Sequence, residues 1–230
     1  MDCSNWLLGV DEAWRGPLAW PVMVGGVFVL PEFWSSPPLW SEDIGDSKQL
    51  SAWQREQLYQ AIISDDRIVW SVASSSAHTI DRKGIVWALH SASKRVLDDI
   101  LRQIHSLPLL SKSTIVIDGN HDFWLHQIFF RRDGALRQSW SHPWRSSIQS
   151  LATLTKGDQK LWHIAAASIL AKVSRDCYMI ALSHRKNYRH YDFSRHKGYG
   201  TAQHRALIAK YGLSDIHRES FCQRHLVMNN

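Results

Sequence analysis

Two adjacent carboxylates at the end of an apolar run constrain this chain more than any other feature of its sequence. Residues 6–10 are predicted to form a short buried strand, and Asp11 and Glu12 follow it directly, before a turn that contains Arg15 and a Gly-Pro break. Two like charges beside an apolar strand are unfavourable unless a positive charge compensates them, and a divalent metal ion meets that need. The alternative is that Glu12 points to solvent, across the strand from Asp11.

Strands and helices alternate along the chain. Residues 22–30 are rich in β-branched side chains, and a tight turn over residues 15–17 would join them to the first strand as a hairpin. Periodicity and turn signals predict a loop over 31–47, a helix from the Ser51–Gln54 capping box to about 63, and a strand over 67–75. A helix is predicted over 79–104 with a break near Gly84, followed by a strand over 114–117 that ends in Asp118. Strand and loop are predicted over 129–147, and helices over 161–182 and from Thr201 to 211. This order indicates an α/β fold with a mixed central β-sheet flanked by helices, in one domain over residues 1–230.

The composition favours a polyanionic partner and a reducing compartment. The net charge is +6 and the isoelectric point is near 9.3, a balance that suits nucleic acid. No apolar run is long enough to span a membrane, and the N-terminus lacks the features of a signal peptide. The three cysteines, Cys3, Cys177 and Cys222, form neither a disulfide framework nor a zinc pattern, so we expect a cytoplasmic protein without a membrane partner.

Four acidic residues occupy similar places in the predicted elements. Asp11 and Glu12 end one strand, Asp118 ends another, and Asp158 stands just before a helix, where the helix dipole stabilises a carboxylate. If the strand ends converge, the acids need divalent cations, and hard oxygen ligands select Mg²⁺ or Mn²⁺. Two such ions about 4 Å apart form a clamp for phosphodiester hydrolysis. Neither a Walker loop nor a Cys/His zinc motif competes with this interpretation.

The acidic residues lie in sequence blocks that occur in a fixed order along nearly the whole chain. The blocks are Gly-Val-Asp-Glu-Ala-x-Arg-Gly-Pro-Leu-Ala from Gly9, Asp46-Ser47-Lys48-x-Leu50-Ser51, Ile117-Asp118-Gly119-Asn120, Lys156-Gly157-Asp158, the helix from Ala165 to Asp176, His196-Lys197-Gly198-Tyr199-Gly200-Thr201 and His217-Arg218-x-Ser220-Phe221. Together they resemble the ribonuclease HII family. The resemblance implies an RNase H-like fold with a C-terminal helical extension over about 184–230 that contributes to nucleic-acid binding. It also implies metal-dependent cleavage of the RNA strand of RNA/DNA hybrids, and incision at single ribonucleotides in duplex DNA.

The resemblance assigns roles to individual residues. It makes Asp11, Glu12, Asp118 and Asp158 the catalytic metal ligands. The turn Trp14-Arg15-Gly16 matches the loop whose backbone reads the ribose 2′-hydroxyl, and Tyr199 matches the tyrosine that stacks on the following deoxyribose. Phosphate contacts are assigned to Ser47, Lys48, Ser168, Lys172 and Lys197. For each lysine the alternative is a solvated surface charge, and for Ser168 it is packing among alanines.

Two tryptophans depart from the family pattern. Trp14 replaces the first glycine of the reading loop, and Trp20 stands where the family commonly has another. Glycine there permits a positive φ and close approach to ribose, so a genuine Trp14 predicts weakened cleavage or a junction-binding protein without activity. The second interpretation is a decoding artefact in which UGA codons for glycine are translated as tryptophan. The 12 tryptophans of the chain, roughly fourfold above ordinary usage, favour the artefact.

Three further expectations concern neighbouring residues and partners. Asp176 is predicted to form a structural ion pair with Arg175. His196 could be a proton shuttle, but a histidine in a basic loop more often binds phosphate or has no functional role. Because ten residues precede Asp11, the related HIII branch with its N-terminal domain is not expected. We expect a monomer, and the tail over 223–230 shows no sliding-clamp motif.

Overall fold

The computed structural model of the chain describes residues 6–13, 15–104, 113–125 and 148–227. Within these residues, the centre is a sheet with the strand order β3-β2-β1-β4-β5. Its strands are β1 (Trp6–Ala13), β2 (Val22–Val29), β3 (Ile68–Ser75), β4 (Ser113–Asp118) and β5 (Ile148–Leu154). β1 pairs antiparallel with β2 and parallel with β4, and β5 pairs parallel with β4. The antiparallel pairing of the first two strands and the mixed sheet are therefore confirmed. The tight turn predicted over residues 15–17 was wrong, because β1 ends at Ala13 and β2 begins only at Val22.

Helices lie on both faces of the sheet. The α-helices of the described ranges are α1 (Pro31–Ser35), α2 (Ala52–Ser64), α3 (Ala77–Lys83), α4 (Ile85–Ile104), α5 (Trp162–Ser183), α6 (Phe193–His196), α7 (Ala202–Tyr211) and α8 (Glu219–Val227). None of them combines the length and the apolar character that crossing a membrane requires.

Alternation along β1 and β2 directs one set of side chains to α4 and the other set to α5. Leu8 and Val10 pack in the apolar cluster that contains α4. Gly9 and Gly25 face α5, where a Cβ on Gly25 would lie 2.3 Å from the carbonyl oxygen of Ala167. The sheet and α5 therefore meet backbone to backbone, which explains the alanine-rich sequence of this helix.

Local signals predicted many element boundaries correctly. The capping box at Ser51 begins α2, Gly84 separates α3 from α4 with a φ of 84°, and Thr201 caps α7. The interpretation of residues 31–47 as loop alone was wrong, because they contain α1 and a 3-10 turn. β5 and α8 had no sequence prediction, and the strand and loop predicted over 129–147 lie outside the described residues.

The segment beyond α5 packs against the turn that follows β1. The amide of Leu18 donates to the carbonyl of Gly198 at 2.9 Å, and the amide of Arg218 donates to the carbonyl of Leu18 at 2.7 Å. Ala19 forms an antiparallel bridge with His217. The predicted C-terminal helical extension thus reaches the edge of the sheet where the acidic residues lie.

Candidate active site

The adjacent ends of β1 and β4 carry acidic residues into one cleft. Because Val10 of β1 lies opposite Ile117 of β4 in a parallel ladder, Asp11 and Asp118 occupy neighbouring strand positions. The cleft has a volume of about 410 Å³ and is lined by Asp11, Glu12, Ala13, Arg15, Lys48, Asp118, Ser168, Lys172 and Tyr199. Every lining residue except Ala13 was a predicted site residue. Asp158, Gly16, Ser47 and Lys197 lie outside the lining.

Asp11 sits on the α5 side of the sheet and is almost completely buried, with 5% of its surface exposed. Burial raises the pKa of Asp11 well above its usual value, and the negative charges of Glu12 and Asp118 raise it further, whereas a hydrogen bond from Ser168 opposes the shift. The Asp11 carboxylate also accepts the backbone N–H of Glu12 at 2.7 Å. The electrostatics of the cleft therefore favour a bound cation beside Asp11.

Glu12 faces the turn that follows β1. Its Oε1 accepts a hydrogen bond from Nε of Arg15 at 2.7 Å, while its Oε2 is buried and has no hydrogen-bond partner among the described residues. Burial raises the pKa of Glu12 even though the Arg15 guanidinium opposes the shift. Arg15 also stacks over the ring of Phe123, 5.0 Å from its centroid. One carboxylate oxygen of Glu12 thus remains for another ligand.

Asp118 and Asp158 are held at the short turn that precedes α5. Asp118 Oδ1 accepts the backbone N–H of Gly157 at 2.6 Å. Asp158 lies in the 3-10 turn Gly157–Gln159, 3% exposed, and its Oδ2 is 3.2 Å from Nζ of Lys48. Burial opposes the charge on Lys48, but its ion pairs, with Asp158 first, raise the lysine pKa overall. Lys48 therefore connects Asp158 to the cleft.

The donor chemistry of these carboxylates fits divalent cations, although their side chains have other partners in this structure. No group of three His, Cys, Asp or Glu side chains in the described parts of the chain is arranged to hold a metal ion. Arg15 takes one oxygen of Glu12 and Lys48 takes one of Asp158. The unpartnered Glu12 oxygen and the mutual repulsion at Asp11 indicate that a cation would satisfy the cluster.

Three of the five residues predicted to contact phosphate, Ser47, Ser168 and Lys172, form a connected hydrogen-bond network beside α5. Ser47 is completely buried, and its Oγ lies 2.9 Å from Oγ of Ser168 and accepts from Nζ of Lys172 at 2.6 Å. Burial lowers the pKa of Lys172, and the positive charge of Arg55 lowers it further. Ser47 here positions Lys172 and Ser168, and these two residues line the cleft.

The turn predicted to read ribose is partly described. Trp14 lies outside the described residues, whereas Arg15 and Gly16 are exposed beside the cleft. Trp20 has a φ of 95°, the left-handed region that favours glycine. Its indole is buried against Tyr178, and its Nε1 has no hydrogen-bond partner. The backbone at position 20 therefore has the conformation expected of the family's glycine.

Tyr199 presents its ring to the cleft from the C-terminal segment. It is 42% exposed, and its amide donates to the carbonyl of His196 at 2.9 Å. The guanidinium of the buried Arg175 lies 6.0 Å from the ring centroid and donates to the carbonyl of Lys197. Lys197 is partly buried outside the cleft lining, and burial lowers the pKa of its ammonium.

Two side predictions are resolved by the geometry. Asp176 forms the expected ion pair with Arg175 at 3.7 Å, away from the cleft. The ring of His196 is buried and hydrogen-bonded to the Tyr191 carbonyl at 2.7 Å, which fits the alternative in which this histidine has no functional role.

Sequence reasoning missed Arg55, whose guanidinium donates to the carbonyl of Ser47 at 2.9 Å and to that of Leu50. Arg55 thereby fixes the loop that carries Lys48. One signal in the sequence pointed to Arg55: it lies in the first turn of a helix that begins just after the Asp-Ser-Lys block.

Comparisons with known proteins give one consistent family. The family model described as ribonuclease HII matches residues 8–224. A ribonuclease HII of Aliarcobacter butzleri is 38% identical over 215 residues, which cover 94% of this chain and 90% of that protein. A ribonuclease HII of Nitrosospira multiformis is 36% identical over 231 residues, 99% of this chain and 96% of that protein.

Solved structures have the same fold. A ribonuclease HII from Archaeoglobus fulgidus, solved in a complex with PCNA, superposes with a TM-score of 0.64 at 24% identity, over 93% of this chain and 94% of that one. A Bst-RNase HIII in complex with Mn²⁺ superposes with a TM-score of 0.63 at 17% identity, over 98% of this chain and 70% of that one. At these identities the likeness establishes the RNase H-like fold.

Proposed function

The chain belongs to the ribonuclease HII family, divalent-metal-dependent ribonucleases H that hydrolyse phosphodiester bonds in RNA/DNA hybrids, and we propose that it also incises duplex DNA at single embedded ribonucleotides. The observation that carries the proposal is the cleft itself. It brings Asp11, Glu12 and Asp118 together with Arg15 and Tyr199, the residues predicted to read the junction. The product would be a nick beside the ribonucleotide, the first step of its removal during DNA replication and repair.

The proposed chemistry divides between the carboxylates and the basic residues around them. Asp11, Glu12, Asp118 and Asp158 would hold the divalent ions, Mn²⁺ or Mg²⁺, which when bound favour attack of water on phosphorus and stabilise the leaving oxygen. Arg15 and Lys48 would release Glu12 and Asp158, to which they are bonded here. Both basic groups would then be available to the scissile phosphate, so substrate binding and metal-site assembly support each other.

Specificity would come from two contacts on either side of the scissile bond. The backbone of Arg15 and Gly16 would approach the ribose 2′-hydroxyl, the group that distinguishes RNA from DNA. The exposed face of Tyr199 would pack on the following sugar, where a flat ring fits deoxyribose better than ribose. Lys172, Ser168 and the more remote Lys197 would hold backbone phosphates.

Cleavage of matched duplexes tests this function. We expect cuts with Mn²⁺ or Mg²⁺ in a duplex that contains one ribonucleotide, and no cuts in the same duplex made entirely of DNA. Asp118→Asn removes one metal-binding charge with little change in shape and should reduce the rate by roughly a thousandfold or more. Activity on long hybrids without any cut at the single ribonucleotide would contradict the finer proposal.

The second candidate is a junction-binding protein whose cleavage is weakened by Trp14. The left-handed backbone at Trp20 supports the alternative that both tryptophans represent glycine codons. UGA at codons 14 and 20 would agree with a decoding artefact, whereas UGG at both would exclude it. If Trp14 is genuine, Trp14→Gly should raise the cleavage rate, and an unchanged rate would contradict the blocking role.

We also propose that the chain works as a cytoplasmic monomer, and its sequence does not support a sliding-clamp partner. Cys177 and Cys222 are free thiols, which suits a reducing compartment. The sequence of residues 223–230 shows no clamp-docking motif. Size-exclusion chromatography with light scattering should give the mass of one chain. The mass of a dimer would contradict the proposal.

A further inference from the structure

Arg218 is a fully buried arginine that is bonded to the turn after β1. Its Nε donates to the carbonyl of Trp20 at 2.7 Å and its Nη1 donates to the carbonyl of Arg15 at 2.8 Å. Its own amide donates to the carbonyl of Leu18 at 2.7 Å. One residue thus fixes three carbonyls of the turn that is proposed to read ribose. Lysine cannot reproduce this geometry, because only the guanidinium is a planar fork.

The adjacent residue, His217, is connected to Tyr199 through a second histidine. The amide of Ser214 donates to Nδ1 of His217 at 2.9 Å, so the ring hydrogen of a neutral His217 lies on Nε2. That nitrogen is 3.1 Å from Nε2 of His204, which must therefore accept. His204 then carries its hydrogen on Nδ1 and donates to the carbonyl of Tyr199 at 2.8 Å. The tautomers are consistent along the whole path.

Both histidines are completely or almost completely buried, and burial lowers the pKa of His204 to about 3 and that of His217 to about 4. Among the described residues, two titratable groups act on the pair: His196, whose ring stacks on His204 with centroids 4.1 Å apart, and Asp215, which acts on His217. Asp192 acts on the neighbouring His196, and Arg175 on the neighbouring Arg218. The neutral form required by the hydrogen-bond path is therefore also the form that the surroundings favour.

We propose that His217 and Arg218 are a positioning pair that holds the two junction-reading elements in register, Arg218 through the Arg15–Trp20 turn and His217 through His204 and Tyr199. The proposal rests on the proposed function, since it assigns the reading of ribose and deoxyribose to these two elements. Neither residue lines the cleft, so both act through the groups that they hold. A common anchor keeps the spacing between the two sugar contacts constant.

The test compares kcat/KM on a duplex with one ribonucleotide and on a uniform RNA/DNA hybrid. His217→Phe keeps a ring but breaks the path to Tyr199, and should lower the ratio of the two values about tenfold. His217→Gln retains a donor toward His204, so its ratio should stay close to that of the unaltered protein. Arg218→Lys should lower kcat/KM about tenfold on both substrates, because both present a 2′-hydroxyl to the turn.

Matched variants separate positioning from general damage. Tyr188→Phe removes only the hydroxyl that donates to Asp215 in the same segment. It keeps the ring that packs against the cluster of Ala19 and Trp20, and should therefore leave both values unchanged. Tyr199→Ala should lower the ratio as His217→Phe does. If Tyr199→Ala lowers the ratio but folded His217→Phe does not, the positioning inference alone is wrong. If Tyr199→Ala has no effect, junction reading by this residue is wrong and the inference falls with it.

A spectroscopic measurement on the unaltered protein covers the case in which His217→Phe does not fold. ¹⁵N NMR of the imidazole rings should show His204 protonated on Nδ1 and His217 protonated on Nε2 at neutral pH. The opposite tautomer at His204 would overturn the hydrogen-bond path to Tyr199, because Nδ1 of His204 could not then donate to the Tyr199 carbonyl.

Discussion

Gly16→Ala tests directly whether the turn after β1 approaches a sugar. In the free protein a Cβ at Gly16 would meet no atom of the described residues within 4 Å, and the backbone there is not left-handed. The fold therefore has no need for glycine at this position. Alanine should leave the free energy of unfolding unchanged or raise it by roughly 0.4–1 kcal/mol, because it restricts the unfolded chain.

The effect on cleavage should be much larger than the effect on stability. If ribose packs on the bare backbone of Gly16, a methyl group displaces it by about 1 Å, and such a displacement costs roughly a hundredfold in rate, or about 2.7 kcal/mol of transition-state stabilisation. Gly45→Ala is the matched control, since a Cβ on Gly45 also meets nothing within 4 Å. It should change neither stability nor rate.

The assay is single-turnover cleavage of a duplex with one ribonucleotide, together with urea unfolding of each variant. Gly16→Ala should cleave slowly at native stability, and Gly45→Ala should have the native rate and the native stability. A Gly16→Ala enzyme that cleaves at the native rate would refute close approach of the backbone to ribose. A loss of stability would show that the turn needs glycine for its own folding.

Three further predictions concern the metal, the packing and the pH dependence. Mn²⁺ at a hundredfold excess over its Kd should raise the free energy of unfolding by about 2.7 kcal/mol, and the melting temperature should rise with it. If Mn²⁺ raises the melting temperature of Asp118→Asn as much as that of the unaltered protein, the assignment of Asp118 as a metal ligand is wrong. Gly9→Ala should lower stability by roughly 1–3 kcal/mol in urea unfolding, because its Cβ would lie 2.5 Å from the backbone carbon of His163; native stability would refute the backbone contact. Burial lowers the pKa of His163 to about 4 and, with nearby histidines, that of His204 to about 3. The folded state thus favours neutral rings. The stabilisation from these neutral rings is fully present above the unfolded-state pKa of about 6.5 and is lost as the pH falls toward the pKa values of the folded state. Urea unfolding at pH 5 should therefore show a free energy of unfolding lower by about 2 kcal/mol per histidine.

The sequence predicted the elements whose signals are local. The capping box of Ser51 and the left-handed Gly84 lie within the segments that they delimit, so they could be read without knowledge of the fold. The acidic positions followed in the same way, because a strand that ends in Asp118 places that residue at a sheet edge. Eight of the predicted site residues then line one cleft.

What the sequence could not predict depends on distant partners. Helix α8 begins where Asp81 accepts the amides of Glu219 and Ser220 at 2.9 and 3.0 Å, so its N-terminal cap lies in another part of the chain. β5 is an edge strand with mixed burial and therefore lacks the apolar run that marks a central strand. Arg218 was visible only as part of a motif, since its partners are main-chain carbonyls that carry no sequence signal.

The same long-range contacts determine what Trp20 does to the turn. Its amide donates to the carbonyl of Ile216 at 2.7 Å and its carbonyl accepts from Arg218 at 2.7 Å, so the C-terminal segment fixes the backbone on both sides of the left-handed residue. A non-glycine residue held in this region costs of order 1–3 kcal/mol, and these contacts maintain the conformation against that cost. Replacing glycine by tryptophan at position 20 therefore lowers the stability of the protein but does not change the shape of the turn. Any loss of ribose recognition in a genuine tryptophan variant must consequently arise at Trp14.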